Sequence, residues 1–260
     1  MTGIDRSRFE LEFEDDFDGD DIDTSKWIPA YLPQWSSRAA TRPRYTVGDS
    51  VLTLRIDDDQ APWSPEFDGS TYVSNLQTAV RSGRLGSRDG QHRFADTLLV
   101  REEQPREILY APSAGLVEVR MRATRDPDAM AALWLIGIED RPEESGELCV
   151  AEIFGRDIHA NTMRVGLGVH PHHDPRLPDD FATVEVTGPD EFHEYAAEWS
   201  ATGARFYVDG HLVRTVGRAP AYRLMLMLDL YAFERPGGGR GVLPKSCAVD
   251  WVRGWRPAAT

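Results

Sequence analysis

The sequence predicts an all-β fold, a sandwich of antiparallel sheets. Long helical periodicities are scarce in its 260 residues, short apolar or alternating runs recur between turn residues, and one hairpin is explicit. A strand shows side chains on alternate faces, so runs of four to seven residues rich in β-branched and aromatic side chains read as strands. Many such runs in one chain read as a sandwich.

The first clear run is Val51-Leu-Thr-Leu-Arg-Ile56, followed by runs at 116–121 (Leu-Val-Glu-Val-Arg-Met), 131–136 (Ala-Ala-Leu-Trp-Leu-Ile) and 164–169 (Arg-Val-Gly-Leu-Gly-Val). Further runs are at 195–199, 205–209, 224–228 and 248–252. The hairpin joins 205–208 to 211–214 through Asp209-Gly210, a pair that readily takes the positive φ angles of a type I′ turn. Loops are expected at 57–70, with Asp57-Asp58-Asp59, Pro62, Pro65 and Gly69, at the glycine-rich 235–241, and from His170 through Asp180. There is no internal repeat and no convincing linker, so residues 1–260 are read as a single domain.

With 41% hydrophobic and 28% charged residues the chain can bury a core, and no apolar run approaches the roughly 18 residues of a membrane span. The net charge of −14 would repel a phosphate backbone, which argues against nucleic acid as a partner. It also disfavours an anionic polysaccharide, unless a local basic cleft overrides the total. Seven Trp, eight Tyr and ten Phe are enough to furnish a stacking site beyond the core. Cys149 and Cys247 lie far apart without metal-ligand spacing, so neither a disulfide framework nor a zinc site is indicated, although one disulfide is possible. The first six residues lack the apolar stretch of a signal peptide, so the chain is expected to be cytoplasmic or trimmed of a leader.

The segment richest in chemistry is Gly146-Glu-Leu-Cys-Val-Ala-Glu-Ile-Phe-Gly155, a strand pattern with two glutamates among apolar neighbours. A carboxylate facing a protein interior is costly unless it is paired or opens onto a cleft. On a regular strand Glu147 and Cys149 share a face and Glu152 points the other way. A bulge after Cys149 would return all three to one face, and bulges are common beside active sites. Two glutamates on one concave face suit glycoside hydrolysis, one attacking the anomeric carbon and the other protonating the departing oxygen. The alternative is one glutamate at the surface and the other in an ion pair.

Glu147-Leu-Cys149-Val-Ala-Glu152 resembles the Glu-x-Asp-x-x-Glu motif of glycoside hydrolase family 16, the laminarinase and lichenase family, with Cys149 in place of the central aspartate. The flanking sequence is similar in the same order. Asp15-Asp-Phe-Asp-Gly19 with Ile22–Trp27 resembles the family's opening, and Asp49–Leu54 its first strand. Gly115–Arg120 with Ala132–Leu135 resembles the strands before the motif. Phe192–Trp199 with Phe206–Gly210 and Val249–Arg253 are similar to its downstream block and closing strand. The resemblance implies a β-jelly-roll of two curved antiparallel sheets with a substrate cleft across the concave face.

By position, the resemblance makes Glu147 the nucleophile and Glu152 the general acid and then base of a retaining mechanism. Cys149 stands where a carboxylate would help keep one glutamate ionised and the other protonated, a charge that a neutral thiol does not supply. Trp134 and Trp199 resemble cleft tryptophans that pack against sugar, though either ring could equally be core. Trp35, in a Pro-rich loop like Trp63, is a further candidate for binding substrate. His170 resembles a histidine on the leaving-group side or is a loop residue capping a strand, and Asp229 falls where the family often has a cleft asparagine. Arg240 is a further candidate contact. Adjacent His172 and His173 point apart and lack a third ligand, so they do not read as a metal site.

No cofactor is required by this chemistry. The resemblance also implies a possible structural calcium on the convex side, held by the Asp250 side chain with main-chain oxygens at Asp16 and Ser50. The function implied is an endo-acting hydrolase of β-1,3- or mixed β-1,3/1,4-glucan. The alternatives are a β-glucan-binding protein on the same fold with lost hydrolysis, and a hydrolase of another polysaccharide such as a galactan.

Overall fold

A computed structural model describes residues 3–235 and 237–259. Pro236 of the glycine-rich loop lies outside the described residues, as do Met1 and Thr2 of the N-terminal stretch. The strands in chain order are β1 (Phe9–Asp15), β2 (Arg44–Gly48), β3 (Val51–Ile56), β4 (Tyr72–Gln77), β5 (Ala79–Val80), β6 (Glu107–Ile108), β7 (Gly115–Arg122) and β8 (Ala129–Gly137). They continue as β9 (Glu147–Phe154), β10 (Thr162–His170), β11 (Asp180–Thr187), β12 (His193–Ser200), β13 (Gly203–Val208), β14 (His211–Val216), β15 (Leu224–Ala232) and β16 (Lys245–Pro257).

Two antiparallel sheets stack. One runs β14-β13-β12-β7-β16-β3-β2, with β1 on the far half of the long β16. The other has six strands in the order β11-β10-β9-β8-β15-β4, and β5 and β6 form a short ribbon. The runs read as strands lie in these elements, except that Asp209 of the run at 205–209 falls in the turn, and the hairpin is β13–β14, with Asp209 and Gly210 at φ +49° and +72°.

Alternation builds the core. Leu133 and Leu135 of β8, Leu224, Leu226 and Leu228 of β15, and Val165 and Leu167 of β10 meet Val117 and Val119 of β7 and Tyr195 and Ala197 of β12 between the sheets. Each buried leucine of this kind contributes about 1.5–3 kcal/mol. The intervening residues of the six-stranded sheet, Ala132, Trp134, Met225 and Met227 among them, are also buried, because loops carrying Leu32, Trp35, Trp63 and Leu98 cover that outer face. Burial on both faces explains why β8 and β15 read as unbroken apolar runs.

The polar strand β4 gave no such signal. Its Ser74, Asn75 and Gln77 are buried, with Ser74 Oγ donating to the Arg55 carbonyl at 2.6 Å and Gln77 Oε1 accepting from Leu32 N at 2.9 Å. The edge strand β11 begins at the end of the stretch expected to be loop. It approaches β10 closely because Gly166 and Gly168 lack side chains; a Cβ on Gly166 would sit 2.4 Å from the Phe181 ring.

Candidate active site

β9 departs from regular pairing at one point. Leu133 of β8 lies opposite Ala151 while the next residue, Trp134, lies opposite Cys149; on the other side Gly166 pairs with Glu152 and Gly168 with Cys149. Val150 is therefore the extra residue of a bulge, and both Val150 and Ala151 turn into the inter-sheet core. Glu152 returns to the face of Glu147 and Cys149, and all three line one cavity of about 160 Å³ on the outer face of the six-stranded sheet. Trp134, Met130 and Ala132 line the same cavity from β8, Tyr231 from β15, and Tyr31, His92 and His172 from loops.

The carboxyls differ in environment. Burial, and then the neighbouring charge of Glu147, pushes Glu152 up to about 6. Glu147 is accessible enough to meet a ligand, its side chain 12% exposed, and Nε2 of His172 lies 2.8 Å from its Oε2. Burial pushes the Cys149 thiol well up, reinforced by the charges of Glu147 and Glu152, so it stays neutral. Its Sγ lies 3.9 Å from the Gly166 carbonyl. Asp229 is buried beneath the cavity floor, where Nε1 of Trp134 donates to its Oδ2 at 2.5 Å; burial raises its carboxyl well above the usual range and favours the neutral acid. Burial also pushes His92 down to about 3, leaving a neutral ring packed edge-on against Trp134 at 5.3 Å and against His172 at 4.9 Å.

Among the residues anticipated from sequence, Glu147, Cys149, Glu152 and Trp134 line the cavity and Asp229 supports Trp134 from below. His170 pairs across from Glu147 at the end of β10, its ring stacked on Phe181 at 4.6 Å and its Nδ1 2.9 Å from Asp179. Two tryptophan expectations fail. Trp199 lies on β12 of the other sheet, where alternation with Tyr195 and Ala197 turns its ring into the inter-sheet core at 3% exposure. Trp35 ends a 3-10 turn, Pro33–Trp35, and is fully buried, its Nε1 donating to the Gln91 carbonyl at 2.9 Å. Its ring fills the space that a side chain on Gly90 would need, so it steadies the loop that carries His92 and does not meet a ligand. Trp63 is likewise buried, bonded to Asp68 at 2.7 Å. Arg240 binds the carbonyls of Asp57, Asp58 and Gln60 and ties two loops together.

Reasoning from sequence missed His92, Tyr31 and Tyr231, and assigned no site role to His172. Loops 40 or more residues from β9 in the chain bring Tyr31 and His92 to the cavity, so no local spacing announces them. The calcium expectation rests on one side chain, that of Asp250. Asp250 is ion-paired with Arg120, and a guanidinium against that carboxylate opposes a divalent ion. Among the described residues no group of three His, Cys, Asp or Glu is placed to hold a metal.

A two-sheet sandwich with a carboxylate pair in a tryptophan-floored cavity on one sheet has the layout of a glycoside hydrolase. The family model described as Glycosyl hydrolases family 16 matches residues 107–231, which include β7 to β10 and the bulged β9. The chain is 24% identical to Beta-porphyranase C of Zobellia galactanivorans over 93% of its own length and 76% of that protein's. Among solved structures it is similar to a GlcNAcα1-4Gal-releasing endo-β-galactosidase from Clostridium perfringens, with 27% identity and a TM-score of 0.84. That match covers 98% of this chain but only 64% of the galactosidase chain, so this chain spans less than two thirds of that relative. The catalytic domain of an endo-1,3-β-glucanase (laminarinase) from Thermotoga petrophila shares the fold at 16% identity and a TM-score of 0.67, covering 96% and 99% of the two chains.

Proposed function

We propose that this chain is a retaining endo-β-glycosidase and that its substrate is a galactose-containing polysaccharide. The observation that carries the reaction class is the bulge at Val150, which sets Glu147 and a Glu152 raised to about 6 on one cavity face. In this reading Glu147 attacks the anomeric carbon and forms a glycosyl-enzyme while Glu152, protonated, donates to the leaving oxygen. Glu152 then takes a proton from the water that releases the sugar. Retention requires the two carboxyls to act about 5–5.5 Å apart. Trp134 offers an apolar face for a sugar ring, held flat by its bond to Asp229.

The galactan reading rests on the higher similarity to the galactosidase, 27% identity at TM-score 0.84 against 16% and 0.67 for the laminarinase. A specific observation favours a negatively charged substituent on that polymer. Beside the cavity, Arg81, Arg88, Arg93 and His173 line a hollow of about 480 Å³ together with Asp89, which pairs with Arg81 at 2.7 Å, and Glu139, whose Oε1 accepts from the His92 backbone N–H at 2.5 Å. With Arg81 paired to Asp89, Arg88 and Arg93 are the cations of the hollow available to such a substituent, against the chain's overall charge of −14.

The test is a hydrolysis panel of neutral and charged galactans, glycans ending in GlcNAcα1-4Gal, laminarin and lichenan, each also assayed for binding. Reducing ends released from a galactan and lost in Glu147→Gln support the proposal. Cleavage of glucans alone overturns the substrate assignment, and binding without cleavage of any polymer overturns the enzyme reading.

A further inference from the structure

The proposed chemistry needs Glu147 ionised and aimed, and the neutral thiol at 149 supplies no charge to that end. A different side chain reaches the carboxylate. Nε2 of His172, in the loop that follows β10, lies 2.8 Å from Oε2 of Glu147, in a contact where the two side chains are only 29% and 12% exposed. The loop is built to hold it there. His172 takes a left-handed backbone conformation at φ +46°, which side chains other than glycine rarely adopt. The next residue is fixed on both sides: His173 N donates to Ser145 Oγ at 3.0 Å and its Nε2 lies 3.1 Å from the Arg93 carbonyl. The edge of the neutral His92 ring stops the imidazole of His172 from swinging away, at 4.9 Å and 82°.

We infer that His172 is the positioning residue for Glu147. The inference rests on the retaining glycosidase reading. The Nε2–H donates to one carboxylate oxygen, which holds the carboxylate in place and leaves the other oxygen free to meet the anomeric carbon. A loop histidine thereby takes over, in this chain, part of what a carboxylate at residue 149 would do for the pair, and Cys149 is tolerated for that reason.

The experiment is steady-state kinetics of the full chain on the best polymer of the panel, comparing wild type, Glu147→Gln, His172→Ala, His172→Gln, Cys149→Asp and the double variant Cys149→Asp/His172→Ala. His172→Ala should lower kcat about 10- to 100-fold with KM changed less than about threefold, as for loss of a group that orients a reacting one. His172→Gln, whose amide N–H can still reach the carboxylate, should recover most of that loss. Cys149→Asp should restore part of it, so that the double variant is more active than the product of the single effects. An active wild type with Glu147→Gln dead and His172→Ala undiminished overturns this inference alone. So do equal losses in His172→Ala and His172→Gln, or strictly multiplicative effects with Cys149→Asp. A folded wild type inert on every polymer overturns the hydrolase reading and this inference with it.

Discussion

Glu147 and Glu152 face the same cavity although five positions separate them on one strand, and Val150 is the residue that makes this possible. Alternation alone would drive the Glu152 carboxylate into the core between the sheets, where Ile153 and Ala151 now pack. The position of the second carboxyl therefore depends on an unpaired backbone residue and not on side-chain packing.

Deleting Val150 leaves the glutamates four positions apart, an even spacing that regular pairing keeps on one face, so the variant should lose the bulge, keep Glu152 at the cavity and retain activity. Val150→Ala keeps the bulge and removes only two methyl groups, so it should cost about 1–3 kcal/mol and leave kcat largely intact. Denaturant unfolding beside an activity assay checks both. A folded deletion variant with Glu152 turned into the core and activity lost would contradict the bulge as what absorbs the odd residue.

The general acid must hold its proton, so kcat/KM should fall as pH rises through about 6, the value of Glu152 in the free protein. The same group makes stability pH-dependent. Because its folded pKa is raised from 4.5, its protonated form is the comfortable one, and stability should decline as pH rises from about 4.5 to above 6. Cys149→Asp adds a like charge beside Glu152 and should move the alkaline limb of the rate profile upward. Cys149→Ser adds none and should leave the limb in place. Identical limbs in the two variants would rule out charge as what matters at this position.

Trp134 and Trp199 should part company in kinetics. Trp134→Ala removes a cavity wall and the partner of Asp229, so KM should rise about tenfold or more, with some loss of stability. Trp199→Phe touches only the inter-sheet core; it should lower Tm by a few degrees and leave KM within about twofold. A KM effect of Trp199→Phe equal to that of Trp134→Ala would return Trp199 to the cleft.

The strands of the core and the bulge were legible because both follow from one rule, the two-residue period of a strand. The same rule places Trp199 with Tyr195 and Ala197 on the inward face of β12, so its burial was readable from parity once the sheet was known. Strand β4 was not legible, since its buried Ser74, Asn75 and Gln77 are paid for by hydrogen bonds that exist only in the folded chain. His92 and His172 were illegible as site residues for a related reason. Each belongs to a loop whose course is set by distant anchors: Gln91, bound by Gln34 and Trp35, and His173, bound by Ser145.

In the proposed mechanism Glu147 attacks the sugar directly, with Glu152 as its acid and base. Proton NMR of the first-formed product tests it, recording the anomeric signals of the new reducing end before mutarotation. Two displacements at one carbon keep the configuration, so the β anomer should appear first and the α anomer grow in afterwards. An α anomer appearing first would mean that water attacks in a single displacement, and that Glu147 is not the nucleophile.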